Sequence, residues 1–300
     1  MTRETVECVV VSSYGRRFDL RLADGNLRTA RLRGRRLRPV CGDRVLAEAL
    51  PREEDFLITE VLPRSNELAR PDARGRKEVL AANVSMLAVV TAPTPRPDWF
   101  IVDRYVAAAE LMRAKALIVC NKIDLGTDDA VDAALRDYAG VDYRVVRTSV
   151  VLRDGISALR AALGGHTTVF AGQSGTGKSS LLNCLDPDIE LPTGNISRKS
   201  GEGRHTTVRS AMFELVPGSF VIDSPGVRDF APSIDEPDRV ESGFREIAAA
   251  SVACRYADCR HLAEPDCAVR AAVKAGRISA RRLESYKRLL RLTKELSTRY

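Results

Sequence analysis

Eight consecutive residues constrain this chain more than any others. Gly172-Gln173-Ser174-Gly175-Thr176-Gly177-Lys178-Ser179 fills every position of the pattern G-x-x-x-x-G-K-[ST]. The glycines let backbone N–H groups turn inward around a polyphosphate, and the dipole of a following helix adds to that pull. Lys178 would reach the β- and γ-phosphates, and the Ser179 hydroxyl would ligate Mg²⁺. The apolar run 168–171 precedes the loop and a helical pattern starts at Lys178, the strand–loop–helix context that separates a working phosphate loop from a chance match. Such a loop requires an α/β sheet domain around it.

The flanking rhythm agrees. From Asn83 to residue 222, apolar strands (85–91, 116–120, 143–147, 168–171, 209–216, 219–222) alternate with helical stretches (99–113, 128–138, 155–163, and from 178), predicting a mostly parallel sheet with helices on both faces. Residues 64–80 are polar, carry Pro71 and Gly75, and read as a linker. Before them, five short β-segments (6–11, 16–22, 27–32, 43–49, 56–61) separated by turns suggest a small barrel of the OB type. After residue 235 the chain reads as helical, ending in a long helix over 279–297 with Leu283, Tyr286 and Leu290 on its apolar stripe. The domains expected are therefore 1–65, 66–233 and 234–300, in keeping with a length of 300 residues.

Base choice is written elsewhere. Asn121-Lys122-Ile123-Asp124 directly follows the apolar strand 116–120. The Asp124 carboxylate can accept from both N1–H and the N2 amino group of guanine, a pair that adenine does not offer. The Lys122 stem can lie against the base, and Asn121 can tie this loop to the phosphate loop. Ser149, after the next strand, sits where a backbone contact to guanine O6 would be made. Asp223-Ser224-Pro225-Gly226 follows the strand 219–222; Asp223 is placed to hold Mg²⁺ through water and Gly226 to donate its N–H to a γ-phosphate. The segment 194–207 lacks apolar periodicity and ends in His205-Thr206-Thr207, which offers a switch threonine for Mg²⁺; Thr207 is taken ahead of Thr206.

Near the C-terminus, Cys254-x4-Cys259-x-His261-x5-Cys267 gathers three of the seven cysteines and one of the three histidines into fourteen residues. Three thiolates and an imidazole fill a tetrahedral zinc site with no open position, so the expected metal is one structural zinc. The other four cysteines (Cys8, Cys41, Cys120, Cys184) are scattered and read as small core residues.

Charge points to a polyanion. The net charge is +7, from 47 Lys+Arg against 40 Asp+Glu, and only eight of the 47 are Lys. Arg28, Arg31, Arg33, Arg35, Arg36 and Arg38 occupy eleven residues without an acid, and ten basic residues against two acidic ones lie between 268 and 300. Both stretches read as phosphate-tracking surfaces. The first seventeen residues hold no basic-then-apolar leader, and the apolar runs 86–92 and 116–120 are too short to span a membrane, so a cytoplasmic location is expected.

The order of these motifs, with the base-reading residues 121–124 ahead of the phosphate loop and Asp223–Gly226 last, is a circular shuffle of the Ras-type order. The chain thereby resembles the RsgA family, the small-ribosomal-subunit-dependent, circularly permuted GTPases of ribosome biogenesis. The likeness runs from the N-terminal barrel through 172–180, 203–207 and 223–230 to the cysteine cluster, with Ser149-Val150 standing where Ser-Ala is usual. It implies an α/β fold: a circularly permuted P-loop GTPase domain, an N-terminal OB-like β-barrel and a C-terminal helical zinc-binding domain. It also implies that Ser180 joins the nucleotide site, that magnesium accompanies GTP, and that a monomer binds the 30S subunit and its 16S rRNA late in maturation, with GTP hydrolysis stimulated by the subunit. Val227 follows Asp223–Gly226 where Ras-like enzymes keep a water-positioning Gln; His205 is then the candidate for that catalytic role. Two other readings fit the residues less well. An ATPase or nucleotide kinase is opposed by Asp124. An RNA-binding scaffold that holds guanine nucleotide without turnover is opposed by the intact Lys178, Ser179 and Asp223.

Overall fold

The computed structural model describes residues 5–34, 36–50, 55–72, 76–187, 189, 210–223, 234 and 236–297. Seven strands come first: β1 (Thr5–Tyr14), β2 (Arg17–Arg21), β3 (Leu27–Leu32), β4 (Arg44–Ala49), β5 (Phe56–Val61), β6 (Glu67–Pro71) and β7 (Lys77–Ala82). Strands and helices then alternate: β8 (Met86–Thr91), α1 (Trp99–Leu111), β9 (Lys115–Cys120), α2 (Asp129–Ala139), β10 (Arg144–Arg147), α3 (Ile156–Leu163), β11 (Thr167–Ala171) and α4 (Lys178–Leu185). The antiparallel pair β12 (Ser210–Val216) and β13 (Ser219–Asp223) precedes three C-terminal helices, α5 (Arg245–Ser251), α6 (Ala268–Lys274) and α7 (Ala280–Ser297). The chain forms two compact units. One comprises Met1–Met86, Arg160–Ala171 and Gly177–Phe230, the other Leu87–Leu159, Gly172–Thr176 and Ala231–Tyr300.

In the first unit, β1 to β5 close on themselves: β1 pairs with β2 on one side and β4 on the other, and β3 meets β5. Strand alternation turns Cys8, Val10, Phe18, Leu20, Ala30, Val45, Ala47 and Ile58 into one buried cluster. The far end of β1 leaves the barrel and pairs with β12, Ser12 opposite Ala211, so the barrel continues through β12 and β13 to β11. Arg21 on β2 reinforces this run, 2.5 Å from Glu214 of β12 and stacked over the Phe220 ring of β13.

The stretch read as a linker is instead the hairpin β6–β7. Its charges pair with one another, Arg70 with Glu78 and Lys77 with Glu67, and Asp72 accepts from the Arg76 amide to close the turn. Arg64 pins the hairpin to the barrel: its guanidinium grips the fully buried Asp43 through Nε at 2.7 Å and Nη2 at 2.8 Å, and reaches Glu67 at 2.8 Å. Polar composition concealed a strand pair because the polar groups satisfy each other.

In the second unit, β8 carries six buried residues, β9 lies next to it, and β10 runs parallel to β9 with Arg144 opposite Leu117. Asp98 caps α1 by accepting from the Phe100 and Ile101 amides, and Asp128 caps α2 through the Val131 amide. The C-terminal helices pack on α1: Ala107 joins Phe244, Ile247, Val269, Leu283, Tyr286 and Leu290 in one core. The apolar stripe expected on the last helix is the face that α7 buries.

Two of the ten basic residues assigned to the C-terminal surface do not belong there. Arg282 is 1% exposed, its Nη1 2.8 Å from Asp103 and its Nε 2.6 Å from Glu246. Arg281 bonds Asp103 at 2.9 Å and lies over the Trp99 and Tyr138 rings. Tyr138 completes the group by donating to Asp103 at 2.6 Å. Burial by itself would lower the Arg282 pKa; the carboxylates of Asp103 and Glu246 more than reverse it. Charge alone does not reveal which arginines find buried partners from distant parts of the chain.

Candidate functional site

β11 and β13 run parallel, Thr167 opposite Phe220 and Val169 opposite Ile222. Their C-terminal ends therefore share one edge, where β11 enters the phosphate loop and β13 ends on the buried Asp223. The loop itself is held open by backbone conformations that favour glycine. Gly172 has φ 131°, and a Cβ there would stand 2.1 Å from the Val90 carbonyl oxygen. Gly177, at φ 92°, starts α4. Thr176 is buried and its hydroxyl donates to the Gln173 carbonyl at 2.9 Å, while Ser174 and Gly175 stay exposed at the tip. Lys178 is buried on the first turn of α4, with Ser179 and Ser180 half-buried beside it.

The base-reading loop is fastened to the phosphate loop. Asn121 Nδ2 donates to the Thr176 carbonyl at 2.9 Å, as the sequence reading expects, and Asn121 Oδ1 accepts from the Thr148 hydroxyl at 3.1 Å. Lys122, in a left-handed conformation at φ 60°, sends its ammonium to the carbonyls of Gly175 at 2.6 Å and Thr94 at 3.1 Å. It thus spans the two loops. Gln173 Oε1 accepts from the amide of Asp98, the cap of α1, at 3.2 Å.

Ser149 contributes differently from the expectation. Its amide is committed to the Asp154 carbonyl at 3.0 Å. The Ser149 hydroxyl instead donates to Asp124 Oδ1 at 2.6 Å and accepts from the Leu152 amide at 3.0 Å. One carboxylate oxygen is thereby held, which fixes the plane of the exposed Asp124 carboxylate. The Ser149–Asp154 bridge is a tertiary detail that the spacing does not carry.

The cysteine cluster is brought together as expected. Cys254, Cys259 and Cys267 Sγ lie 3.6, 3.4 and 3.4 Å from His261 Nδ1, Cys254 Sγ lies 3.9 Å from Cys267 Sγ, and all four ligand atoms fall within 4.8 Å. A tetrahedral zinc with ordinary bond lengths requires S···N edges of about 3.6 Å and S···S edges of about 3.8 Å. The donor set therefore fits that ion. Burial pushes the Cys259 thiol up to about 12.

His205, Thr206, Thr207, Gly226 and Val227 lie outside the described residues, as does Arg35. Arg28, Arg31, Arg33, Arg36 and Arg38 are exposed on or beside β3, and Lys274, Arg277, Arg288, Arg291 and Lys294 are exposed on the C-terminal helices and their connection. Cys8, Cys41 and Cys120 are buried and Cys184 half-buried. Among the described residues no helix is long and apolar enough to cross a membrane. The sequence reading passed over Asp98, Asp103 and Glu241. Asp98 could have been found as a cap ahead of Trp99, whereas the other two carry no local signal.

A phosphate loop and an N-K-x-D loop set at the ends of parallel strands, with the base-reading motif first in the chain, define a circularly permuted P-loop GTPase. Residues 61–232 match the family model described as RsgA GTPase. Curated proteins named small ribosomal subunit biogenesis GTPase RsgA are similar along most of the chain. The Pseudomonas aeruginosa PAO1 protein is 38% identical over 284 residues, covering 94% of this chain and 84% of its own. The Dickeya dadantii protein is 37% identical over 306 residues, covering 99% and 87%. Among solved structures, YjeQ from Thermotoga maritima superposes with TM-score 0.77 at 29% identity, covering 97% of this chain and 99% of its own. YloQ, described as a circularly permuted GTPase, superposes with TM-score 0.75 at 26% identity, covering 97% and 96%. The chain belongs to the RsgA GTPase family.

Proposed function

We propose that this GTPase is a ribosome-assembly factor that binds the 30S subunit and its 16S rRNA during late maturation and hydrolyses GTP faster when docked. The observation that carries this reading is the fastening of the guanine-selective loop to the phosphate loop, through Asn121 on Thr176 and Lys122 on Gly175. The names of the curated relatives supply the subunit. Asp124 reads the base, residues 172–180 hold the phosphates, and Ser179, Thr207 and Asp223 would hold Mg²⁺, which neutralises charge developing on the phosphate oxygens. Gly226 donates to the γ-phosphate, and His205 positions the attacking water. One zinc on Cys254, Cys259, His261 and Cys267 is structural. The exposed arginines of 28–38 and the outward basic residues of α7 track rRNA phosphates, and the protein acts as a cytoplasmic monomer.

The test is GTP turnover with and without purified 30S subunits, across a salt series. Stimulation that fades steeply with salt while basal turnover holds is the expected result, because docking rests on phosphate contacts. Equal turnover with and without subunits at low salt would overturn the proposal. His205→Ala should keep GTP and subunit binding but lose the stimulated rate; full stimulation of that variant would remove His205 from the mechanism. Asp124→Asn should weaken GTP by about 1–3 kcal/mol, the scale of a lost hydrogen bond to a charged group. Tighter ATP than GTP binding by the parent would refute the guanine assignment.

A further inference from the structure

His261 presents two nitrogens to two different surroundings. Nδ1 faces the three thiols, and Nε2 lies 2.9 Å from Glu241 Oε2. The imidazole is fully buried, its backbone is left-handed at φ 61°, and the Tyr286 ring lies 5.8 Å away, centroid to centroid. Glu241 is itself oriented, since its other oxygen accepts from the Ser251 hydroxyl at 2.6 Å. It opens the short turn Glu241–Gly243, and that turn is pressed onto α1: a Cβ on Gly243 would stand 2.7 Å from the Ala107 Cβ.

A carboxylate on Nε2 decides the tautomer. It favours the proton on Nε2, which leaves the Nδ1 lone pair directed at the thiol cluster. The same contact resists rotation of the ring, so the nitrogen stays on the tetrahedral corner that a metal needs. We infer that Glu241, twenty residues before His261 in sequence, is the positioning carboxylate of the metal centre. It sets the His261 tautomer, slows release of the ion, and links the centre through the Glu241–Gly243 turn to α1 of the nucleotide-handling unit. The inference rests on the zinc reading of the four ligands.

The full-length protein, its Glu241→Gln and Glu241→Ala variants, and Cys259→Ser as a ligand-loss control should be loaded with zinc and challenged with a chromogenic chelator. Loss of an outer carboxylate costs roughly 10- to 100-fold in metal affinity. Glu241→Ala should release zinc faster by about that factor, and Glu241→Gln, which keeps an acceptor oxygen but loses the charge, by less. Long-range ¹H–¹⁵N spectra of the zinc-loaded parent should place the His261 proton on Nε2, with a downfield resonance that weakens or exchanges faster in Glu241→Ala. A purely structural role for Glu241 would lower the melting temperature with and without chelator alike and leave that resonance unchanged. Zinc release at the parent's rate from Glu241→Ala, with the Nε2 proton signal intact, would overturn the inference while the zinc reading stood. A parent that binds no zinc would overturn the zinc reading, and this inference with it.

Discussion

The barrel and the C-terminal module are of similar size, and they are held together in opposite ways. The barrel encloses its own core: eight buried apolar side chains all come from β1 to β5. The C-terminal module shares its core with α1, through Ala107, Phe100 and Leu111, and adds two devices to that shared core. One is the four-ligand cluster around His261, the other the buried charge group in which Asp103 meets Arg281, Arg282 and Tyr138. The difference teaches where cooperativity should lie. A five-strand barrel can stand on hydrophobic burial, while two short helices, one long helix and a cysteine loop draw on a metal-ready cluster and ion pairs that reach into a neighbouring element.

Removing the metal is the strongest way to test that contrast. Chelation of zinc, or Cys259→Ser, should melt residues 245–297 while the barrel keeps its structure. Amide hydrogen exchange would show it as lost protection in α5 to α7 with β1 to β5 unchanged. Uniform loss of protection would mean that the two regions do not differ as argued. Next in size is Asp103→Ala, which leaves the buried Arg282 with Glu246 as its one carboxylate partner among the described residues and Arg281 with the longer 3.6 Å contact to Asp137. Breaking a buried ion group in this way costs about 3–5 kcal/mol. Denaturant unfolding should detect it, and exchange should place the effect on α1 and α7. A barrel cavity comes third: Ile58→Ala removes a fully buried side chain, for about 2–5 kcal/mol, with the loosened amides confined to the barrel. The smallest effect belongs to the exposed pair of Arg255 and Asp266 on the zinc loop, 2.7 Å apart with both side chains 63% exposed. Arg255→Ala should cost less than about 1 kcal/mol, and a larger loss would show that the loop surface shares in holding the module.

Legibility in the sequence followed the same divide. The barrel was readable because alternation is local, and two of its strands, β3 and β5, match the expected bounds Leu27–Leu32 and Phe56–Val61. The phosphate loop, the base-reading loop and the cysteine cluster were readable because each packs its chemistry into fewer than fifteen residues. The hairpin β6–β7 escapes a reading by alternation, because its charges pair with one another and its buried residues, Leu68, Leu80, Ala81 and Ala82, do not alternate along the strands. The hold of Ser149 on Asp124 and its bridge to Asp154 are invisible in the spacing.

By itself the sequence pointed to the chemistry: a phosphate-loop pattern, an N-K-x-D loop with its carboxylate, and four side chains that could hold a metal. These follow from side-chain type at short spacing, where chain geometry leaves little freedom. Only the tertiary structure decided how those pieces are braced. Asp103 and Arg282 are 179 residues apart, Asp43 and Arg64 are 21, and Glu241 and His261 are 20. Each partnership matches groups whose burial would be unfavourable alone, and which distant charge arrives to satisfy each one is fixed by the packing of strands and helices.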